Sequence, residues 1–395
     1  MSKVLVTGMG MISSIGATPE ENRGALIRGE CGITRSSTLP TRYAGVLPFG
    51  EVKVSTDHLK ARLNMHGPGI TRTALLALYA TNEAVSDARL NASQLASFDT
   101  ALVSASTVGG MCLMDELYQD IHRQSHGSPF LAAYNAASIG TCLQSAYGIK
   151  GIVNTINTAC SSSANAILYG AKLIRHGLAR RAIVGGVDSL SKFTINGFNS
   201  LHILSPETCR PFDAGRKGLN LGEGAAFLVL EKEEDAEGKK IYAELAGYGN
   251  ANDAYHPSSL SGEGDGPYLA MKEALSNAEL RIDQIDFINA HGTGTENNDE
   301  VESRAMLRLF GSPPLFASTK SNIGHTLGAS GAIEAAYSVL NLTHQEVYAG
   351  LHFTRPIPQT MLRPVTEHKK IPLRHVMSNS FGFGGNCTSL IFSKA

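Results

Sequence analysis

Short runs of β-branched and other apolar residues alternate along the chain with stretches in which apolar residues recur every three or four positions. Five of the short runs, at residues 3–8, 100–106, 181–186, 225–231 and 285–290, predict buried strands. Strands that alternate with helices of this kind are typical of layered α/β proteins. The pattern therefore predicts an α/β fold.

Two stretches share one local pattern, in which a reactive residue type precedes small residues and then a helical apolar stripe. In "TACSSSANAILYGAKLIRHG" the stripe after Cys160 is residues 167, 168, 171 and 174, and Gly177 is typical of a helix end. In "SNIGHTLGASGAIEAAYSVLNL" the stripe after His325 is residues 333, 336, 337 and 340. The repeated unit predicts an internally duplicated architecture.

The charged stretch "EKEEDAEGKK" at residues 231–240 is the most linker-like part of the chain, because a run of charges is usually a solvated face or turn. A chain of 395 residues is long enough for two ordinary domains or for one large duplicated domain. We therefore expect one part over residues 1–240, which carries Cys160, and one over residues 241–395, which carries His291 and His325.

The composition narrows the classes of function. The 34 basic and 35 acidic residues nearly balance, so bulk charge does not indicate a nucleic-acid partner. No apolar run approaches the roughly 18 residues of a membrane span, and the first ten residues lack a signal peptide's apolar core. The six cysteines, at 31, 112, 142, 160, 209 and 387, form no CxxC pair, which argues against a zinc cluster or a disulfide scaffold. We expect a soluble cytoplasmic protein that binds neither nucleic acid nor membranes.

Cys160 is the first candidate for chemistry. A helix beginning near Ser162 would direct its unpaired N–H groups and positive dipole end towards the sulfur, which lowers a thiol pKa and favours the reactive thiolate. A cysteine considered alone is more often an inert buried side chain. The three serines that follow lack the GxSxG turn of a serine hydrolase. The hypothesis of a nucleophile therefore rests on the cysteine.

Two histidines strengthen that hypothesis. His291 follows an apolar strand in "INAHGTGTENNDEVE", and His325 lies in the turn "STKSNIGHTLGASG", five residues after Lys320. Two imidazoles in such turns, together with a cysteine before a helix, suit nucleophilic catalysis. Metal binding is the competing explanation, but the ligand spacing of a zinc site is missing, so we expect no metal.

Two glycine-rich stretches have competing interpretations. In "SNSFGFGGNCTS", glycines 382, 384 and 385 would let backbone N–H groups approach a ligand and stabilise an oxyanion, or would form an ordinary turn. The N-terminal "TGMGMISSIG" resembles a dinucleotide-binding loop after a strand, but it reads G-x-G-x-x-S and no other feature of the sequence supports such a cofactor.

These motifs together resemble one family. "TACSSS" at 158–163, "HGTGT" at 291–295, "KSNIGH" at 320–325 and "GFGG" at 382–385 follow the order found in β-ketoacyl-[acyl-carrier-protein] synthases, and residues 210–231 and the N-terminal stretch are also similar. The Cys-His-His combination resembles the elongating type, since chain-initiating relatives have Asn in place of the second His. The resemblance implies the thiolase fold, a duplicated five-layer αβαβα architecture, in a protein that is usually a dimer.

The resemblance also implies an acyltransferase that performs a decarboxylative Claisen condensation. Cys160 would take an acyl group from acyl carrier protein, with the backbone N–H groups of Cys160 and Phe383 as the oxyanion hole. His291 and His325 would support decarboxylation of malonyl-carrier protein, and Lys320 would add positive charge. The β-ketoacyl product would be two carbons longer. Phosphopantetheine of the carrier protein would hold the substrates, and no cofactor would be bound.

Further positions match supporting and substrate-binding residues of the family. The resemblance implies that Glu302 and Asp299 organise the hydrogen bonds of the site, that Val108 lines the acyl pocket near the dimer interface and that Phe383 is a gating aromatic. The substrate-binding positions implied in this way are Thr293, Thr295, Val108, Phe198, Phe383 and Gly384.

Several positions depart from the common elongating pattern. Glu296 stands where Pro is frequent, Lys217 where Asp is frequent, His202 where housekeeping enzymes often have Arg, and "GGNC" where "GGTN" is frequent. Docking of an acidic carrier protein relies on basic groups, so His202 in place of Arg weakens the usual docking contacts. Lys60 and Arg62 are candidates to supply these basic groups instead. The departures leave both fatty acid synthesis and a specialised pathway, such as polyketide or aryl polyene synthesis, open.

Two other functions compete with an active synthase. A non-catalytic chain-length-factor subunit resembles these enzymes but characteristically lacks the cysteine, so Cys160 argues against it. A thiolase-like acyltransferase that uses coenzyme A needs a second reactive cysteine, for which Cys387 is a candidate, and His325 conflicts with that role. Acyl chain length and starter stay open, as does the choice between a homodimer and a heterodimer with a homologous chain-length-factor subunit.

Overall fold

The structure of the chain is a computed structural model that describes residues 3–35, 39, 41–67, 69–123 and 127–395. In chain order, its strands are β1 (Val4–Ile12), β2 (Ile33–Thr34), β3 (Phe49–Gly50), β4 (Thr100–Ala105), β5 (Val153–Ile156), β6 (Arg181–Asp188), β7 (Gly224–Lys232), β8 (Ala243–Asn252), β9 (Phe287–Asn289), β10 (Leu315–Ala317), β11 (Glu346–Val347), β12 (Lys369–Lys370), β13 (His375–Phe381) and β14 (Asn386–Ser393). Its α-helices are α1 (Pro19–Ile27), α2 (Thr56–Leu63), α3 (Arg72–Asp87), α4 (Ala92–Leu95), α5 (Met114–Arg123), α6 (Leu131–Tyr134), α7 (Ser138–Tyr147), α8 (Ser162–Arg175), α9 (Lys192–Ser200), α10 (Asp265–Ala278), α11 (Glu296–Phe310), α12 (Lys320–Ile323) and α13 (Ser330–His344).

Ten strands pair in one sheet in the order β10-β9-β13-β14-β8-β1-β7-β6-β4-β5. Read from one end, parallel β5, β4 and β6 are followed by antiparallel β7 and β1. Read from the other end, parallel β10, β9 and β13 are followed by antiparallel β14 and β8. The two five-stranded halves join where Leu5 and Val6 of β1 pair with Glu244 and Ala243 of β8. The duplication predicted from the two matching segments is thus visible in the strand order.

The helices form three layers, one on the outside of each five-stranded half and one between the two halves. α3 packs on β1 and β7, α10 packs on β8 and β14, and α8 and α13 pack on each other between the two halves. The layers follow the order αβαβα, as expected of the thiolase fold. Every residue of α13 from Ser330 to Leu342 is buried, whereas the sequence pattern predicts a single buried face. Neither α13 nor another helix in the described part of the chain has both the length and the apolar character needed to cross a bilayer.

The N-terminal glycine pair packs a strand against a helix. Gly8 and Gly10 lie in β1, where an added Cβ would come within 2.4 and 2.2 Å of carbonyl oxygens of α3. Gly247 and Gly249 of β8 meet carbonyl oxygens of α10 in the same way, at 2.5 and 2.1 Å. The likeness of "TGMGMISSIG" to a dinucleotide loop is therefore explained by the close approach of a helix backbone, which only glycine permits.

All five predicted strands are present, as β1, β4, β6, β7 and β9. The charged stretch 231–240 differs from the expectation at its start, because Glu231 belongs to β7 and is fully buried. Its carboxylate accepts a hydrogen bond from Thr7 at 2.6 Å and pairs with Arg181 at 3.4 Å and Lys239 at 2.6 Å. A buried carboxylate needs such partners. The division of the chain at residue 240 stays a prediction.

Candidate active site

Cys160 lies in a tight turn between β5 and α8. The helix begins at Ser162, as predicted, and Gly177 follows its end with a φ of 70°. Ala159, directly before the cysteine, has a φ of 54°, a left-handed conformation that costs a non-glycine residue about 1 kcal/mol or more. Ser162 Oγ holds the turn, since it accepts from the N–H of Thr158 at 2.9 Å and donates to the Ala159 carbonyl at 2.5 Å. These contacts fix the position of the Cys160 side chain.

The glycine-rich stretch 382–385 packs against the Cys160 turn. An added Cβ at Gly382 would lie 2.6 Å from the Thr158 carbonyl oxygen and 3.2 Å from the Cys160 nitrogen, so glycine is needed there. The backbone N–H groups of Phe383 and of Cys160 itself favour the thiolate form of Cys160 and so oppose a rise of its pKa. These are the two N–H groups that the oxyanion-hole interpretation requires, and that assignment stays a prediction.

Burial dominates the acidity of Cys160 in the resting protein. The residue is 6% exposed, and loss of hydration raises the pKa of its thiol to about 11. The Phe383 N–H and the positive charge of Lys320 oppose this rise, whereas the charge of Asp188 adds to it. The expectation of a lowered pKa is therefore wrong for the resting protein, because the helix N-terminus does not compensate for the loss of water.

We expect the alkylation rate of Cys160 by iodoacetamide to keep rising with pH beyond the range in which an ordinary thiol levels off. The thiolate is the reacting form, and with a pKa of about 11 its fraction grows about tenfold per pH unit below that value. Mass spectrometry of the modified peptide between about pH 7 and pH 10 measures the rate. A plateau reached below about pH 8.5, the pKa of an unperturbed thiol, would contradict the expectation.

His325 is held in one tautomer by the turn that follows it. The backbone N–H of Leu327 donates to His325 Nδ1 at 3.2 Å, and Ser330 Oγ lies 2.9 Å from the same nitrogen. Because Nδ1 accepts a hydrogen bond, the neutral imidazole carries its proton on Nε2. Burial lowers the pKa of His325 well below 6.5, and the charge of Lys320 lowers it further. His325 is therefore a neutral hydrogen-bond donor at neutral pH.

His291, two residues after β9, is oriented by Lys320. Lys320 Nζ donates to the His291 carbonyl oxygen at 2.6 Å, lies 3.3 Å from His291 Nδ1 and forms an ion pair with Glu334. Burial lowers the pKa of His291 well below 6.5, and the charge of Lys320 adds to the effect. The His291 and His325 rings meet edge to face, with their centroids 5.4 Å apart. The two imidazoles thus form a pair of neutral N–H donors.

Glu302 and Asp299 brace the loop that follows His291. Glu302 accepts from the backbone N–H groups of residues 291 and 292, each at 2.8 Å, and Asp299 accepts from those of residues 293 and 294 at 2.9 and 3.1 Å. Burial raises the pKa of Glu302 to about 7, although these donors oppose the rise. The loop carries Thr293 and Thr295, whose hydroxyl oxygens lie 2.9 Å apart. Both carboxylates therefore hold the backbone of this loop.

Cys160, His291 and His325 line one cavity of about 460 Å³, together with Thr293 and Thr295. The lining also contains two stacked rings, with centroids 5.9 Å apart, and three polar residues noted as departures from the common pattern. The stacked rings are Phe198 and Phe383, and the polar residues are His202, Lys217 and Glu296. Across the ranges that the structure describes, no group of three or more His, Cys, Asp or Glu is arranged to hold a metal ion.

Two of the predicted substrate-binding residues lie away from the cavity surface. Val108 is 2% exposed in an apolar cluster that also contains Leu190 and Ile195 and packs against Phe198. Gly384 is exposed and donates its N–H to the Pro257 carbonyl at 2.7 Å. A contact of either residue with substrate stays a prediction.

Cys387 and the two candidate docking residues, Lys60 and Arg62, do not line the cavity. Cys387 is fully buried in an apolar cluster with Phe381 and does not line the cavity, and burial raises the pKa of its thiol. Lys60 and Arg62 lie on α2, where the Arg62 guanidinium covers the Tyr79 ring at 4.8 Å. The cavity therefore brings together Cys160 and the two histidines without Cys387.

Glu334 and Leu327 are parts of the site that the sequence motifs do not reveal. Glu334 is the one carboxylate of α13, and a single acid within an apolar helix is a signal that it has a buried partner. Leu327 acts through its backbone N–H, so its side chain carries no signal at all. Its φ of 53° becomes visible only in the structure.

Comparison with known proteins gives the same family along most of the chain. Residues 1–236 match the family model described as the N-terminal domain of beta-ketoacyl synthase, and residues 242–354 match that of the C-terminal domain. A curated relative is 3-oxoacyl-[acyl-carrier-protein] synthase 2 of Staphylococcus aureus (strain COL), which is 33% identical and covers 99% of this chain and 98% of its own.

Two solved structures have the same fold at similar identity. The ishigamide ketosynthase/chain length factor matches with a TM-score of 0.94 and 31% identity, over 100% of this chain and 99% of its own. A ketosynthase (ApeO) in complex with its chain length factor (ApeC), from Xenorhabdus doucetiae, matches with a TM-score of 0.88 and 32% identity, over 100% and 98%.

Proposed function

The chain belongs to the β-ketoacyl synthase family, and from that premise we propose that it extends an acyl chain held on Cys160 by two carbons taken from malonyl-[acyl carrier protein]. The observation that carries the proposal is the meeting of one sulfur and two neutral imidazoles in a single cavity. A sulfur nucleophile forms and releases thioesters readily, and two N–H donors stabilise an enolate oxygen.

In the first half of the reaction, the Cys160 sulfur attacks the carbonyl carbon of an acyl thioester on carrier protein. The N–H groups of Cys160 and Phe383 stabilise the oxyanion, and the bond to the carrier sulfur then breaks. The proton lost by the Cys160 thiol ends on the departing carrier thiol, so one thioester replaces another. Because the buried thiol is protonated at neutral pH, its proton leaves during this step.

In the second half, the bond between the malonyl carboxylate and the α-carbon breaks and carbon dioxide leaves. The electron pair stays as an enolate, whose oxygen accepts hydrogen bonds from Nε2–H of His291 and His325. The α-carbon attacks the acyl carbonyl carbon, and the Cys160 sulfur leaves and regains a proton. Neutral imidazoles suit this step, because a cation would hold the substrate carboxylate as an ion pair and so favour the ground state.

The charged residues of the cavity support a substrate carried on an acidic protein. Lys217 lines the cavity with its side chain 58% exposed and pairs with Glu207 at 2.9 Å, and the exposed His202 lines the same cavity. An exposed ammonium can exchange such a surface partner at little cost for the phosphate of phosphopantetheine. Acyl carrier protein is therefore the proposed partner, and Lys217 in place of the frequent Asp is the residue that favours it.

A homologous chain-length-factor subunit is the second proposed partner. The two solved structures named above are ketosynthases paired with a chain length factor, at 31% and 32% identity. This pairing favours a heterodimer and a specialised polyketide or polyene product over a homodimer in fatty acid synthesis.

The two competing functions fit the site less well. A non-catalytic chain-length subunit does not need the strained turn before Cys160 or the oriented imidazoles. Thiolase-like transfer to coenzyme A needs a second cysteine at the reacting atoms, and Cys387 is fully buried and does not line the cavity. Both observations support the decarboxylative condensation.

The proposal is tested by the products of the full-length protein. Acyl carrier proteins loaded with saturated, unsaturated or aryl starters are mixed with malonyl-carrier protein, with and without the homologous subunit, and the products are identified by mass spectrometry. A β-ketoacyl chain two carbons longer than the starter, with loss of carbon dioxide, is the expected result. Acyl transfer to coenzyme A would contradict the proposal. So would the absence of turnover with all of the starters, both with and without the homologous subunit.

A further inference from the structure

Asp188, the last residue of β6, is a fully buried carboxylate that joins two loops of the site. From the first loop, it accepts hydrogen bonds from Ser106 Oγ at 2.7 Å, from Thr107 N and Oγ1 at 3.1 and 2.5 Å, and from Val108 N at 3.0 Å. From the second loop, it accepts one from Gly328 N at 2.7 Å. Neutral donors on two separate chain segments thus surround one carboxylate.

The second loop is the one that orients His325. Two consecutive backbone N–H groups of this loop donate to different acceptors. The Leu327 N–H donates to His325 Nδ1, and the Gly328 N–H donates to Asp188. Leu327 has a φ of 53°, which a leucine adopts only when neighbouring contacts hold it. The bond from Gly328 to Asp188 is such a contact, and it sits one residue from the strained position.

The first loop carries the residue assigned to the acyl pocket. Val108 contributes its N–H to Asp188 and its side chain to the apolar cluster next to Phe198. A movement of this loop therefore reaches the His325 loop through one carboxylate. The fit leaves little space, because an added Cβ at Gly328 would lie 2.8 Å from Asp188 Oδ2.

We infer that Asp188 is a positioning residue for condensation, which fixes the His325 imidazole through Gly328 and Leu327 and couples its position to the acyl-pocket loop at Val108. The inference rests on the proposed function of the cavity. A carboxamide cannot replace the carboxylate, because its N–H₂ group would face the N–H groups of Thr107 or Gly328. Acylation of Cys160 does not use the His325 loop, so the two half-reactions separate.

The test is Asp188→Asn in the full-length protein, with acylation of Cys160 and decarboxylative condensation measured separately. We expect acylation within about threefold of the wild-type rate and condensation slower by about 30-fold or more, in kcat rather than KM. Alkylation of Cys160 should be as fast as in the wild type or faster, since the substitution removes a negative charge that raises the thiol pKa. A general loss of structure would slow both half-reactions.

Glu231→Gln is the matched control. Glu231 is equally buried, and it lies opposite Arg181, at the far end of the strand that Asp188 terminates. We expect this variant to lose stability without changing the ratio of condensation to acylation. The inference is overturned if Asp188→Asn keeps the wild-type ratio or if both variants change it equally.

Gly328→Ala provides a second variant should Asp188→Asn fail to fold. Its methyl group would push against Asp188 Oδ2 and should lower the same ratio while leaving the carboxylate in place. An unchanged ratio in folded Gly328→Ala would count against the inference. If the wild-type protein acylates Cys160 but never condenses, the proposed function fails instead, which distinguishes the two outcomes.

Discussion

We expect Cys160→Ala to give a folded protein that no longer takes up an acyl group. The sulfur is the one atom of the cavity that can form the thioester, and loss of a catalytic nucleophile typically lowers turnover by about 10⁴-fold or more. The substitution removes a small buried group, so the fold should survive. Intact-protein mass spectrometry after incubation with acyl-carrier protein should show the acyl mass increase in the wild type alone.

Cys142→Ala is the control for this experiment. Cys142 is also a free cysteine with a thiol whose pKa burial raises, but it lies on α7 and not at the cavity. This variant should gain the same acyl mass as the wild type. An acyl mass increase that persists in Cys160→Ala would show that another residue is the nucleophile.

His325→Ala should impair condensation and leave acylation intact, whereas Cys160→Ala prevents acylation itself. Acylation of Cys160 should continue, because the oxyanion donors belong to other residues. Condensation should fall by about 10²–10⁴-fold, since the enolate loses one of its two N–H donors. Release of carbon dioxide from malonyl-carrier protein, followed in the acylated enzyme, measures the affected step.

The exposed His176, which caps the end of α8, offers a comparison for His325. His176→Ala should retain both half-reactions, because the residue lies at the opposite end of α8 from Cys160 and does not line the cavity. Elongation by His325→Ala at the wild-type rate would show that the second imidazole has no role in the mechanism.

The main parts of the site could be predicted because their signals are local. Cys160 precedes a helix within the same short segment, and His291 follows the strand that positions it. The secondary structure around each residue can therefore be predicted from the adjacent residues. The duplicated architecture could be predicted for the same reason, since each repeated unit is contiguous in the chain. The strand order and the packing of α8 on α13 join distant segments and required the structure.

The parts that could not be predicted depend on contacts across the fold. The bond from Gly328 to Asp188 spans 140 positions of the chain, and the donor is a backbone group with no signature. The acidity of Cys160 was predicted with the wrong sign, because the helix dipole is a local property whereas burial is set by the whole fold. The glycine pair in β1 fits two local explanations, and only the position of α3 decides between them.

Because α13 is buried on all sides, neither half of the protein can be separated from the other without exposing apolar surface. A fragment containing only one half would expose to water the face of α8 or α13 that the other half covers, at a cost of about 25 cal/mol for each Å² of apolar surface. Cys160 and His325 stand just before these two helices, so the joint that stabilises the protein also assembles its chemistry. We therefore expect the two halves to unfold together, so that denaturant abolishes structure and acyl transfer in one cooperative transition.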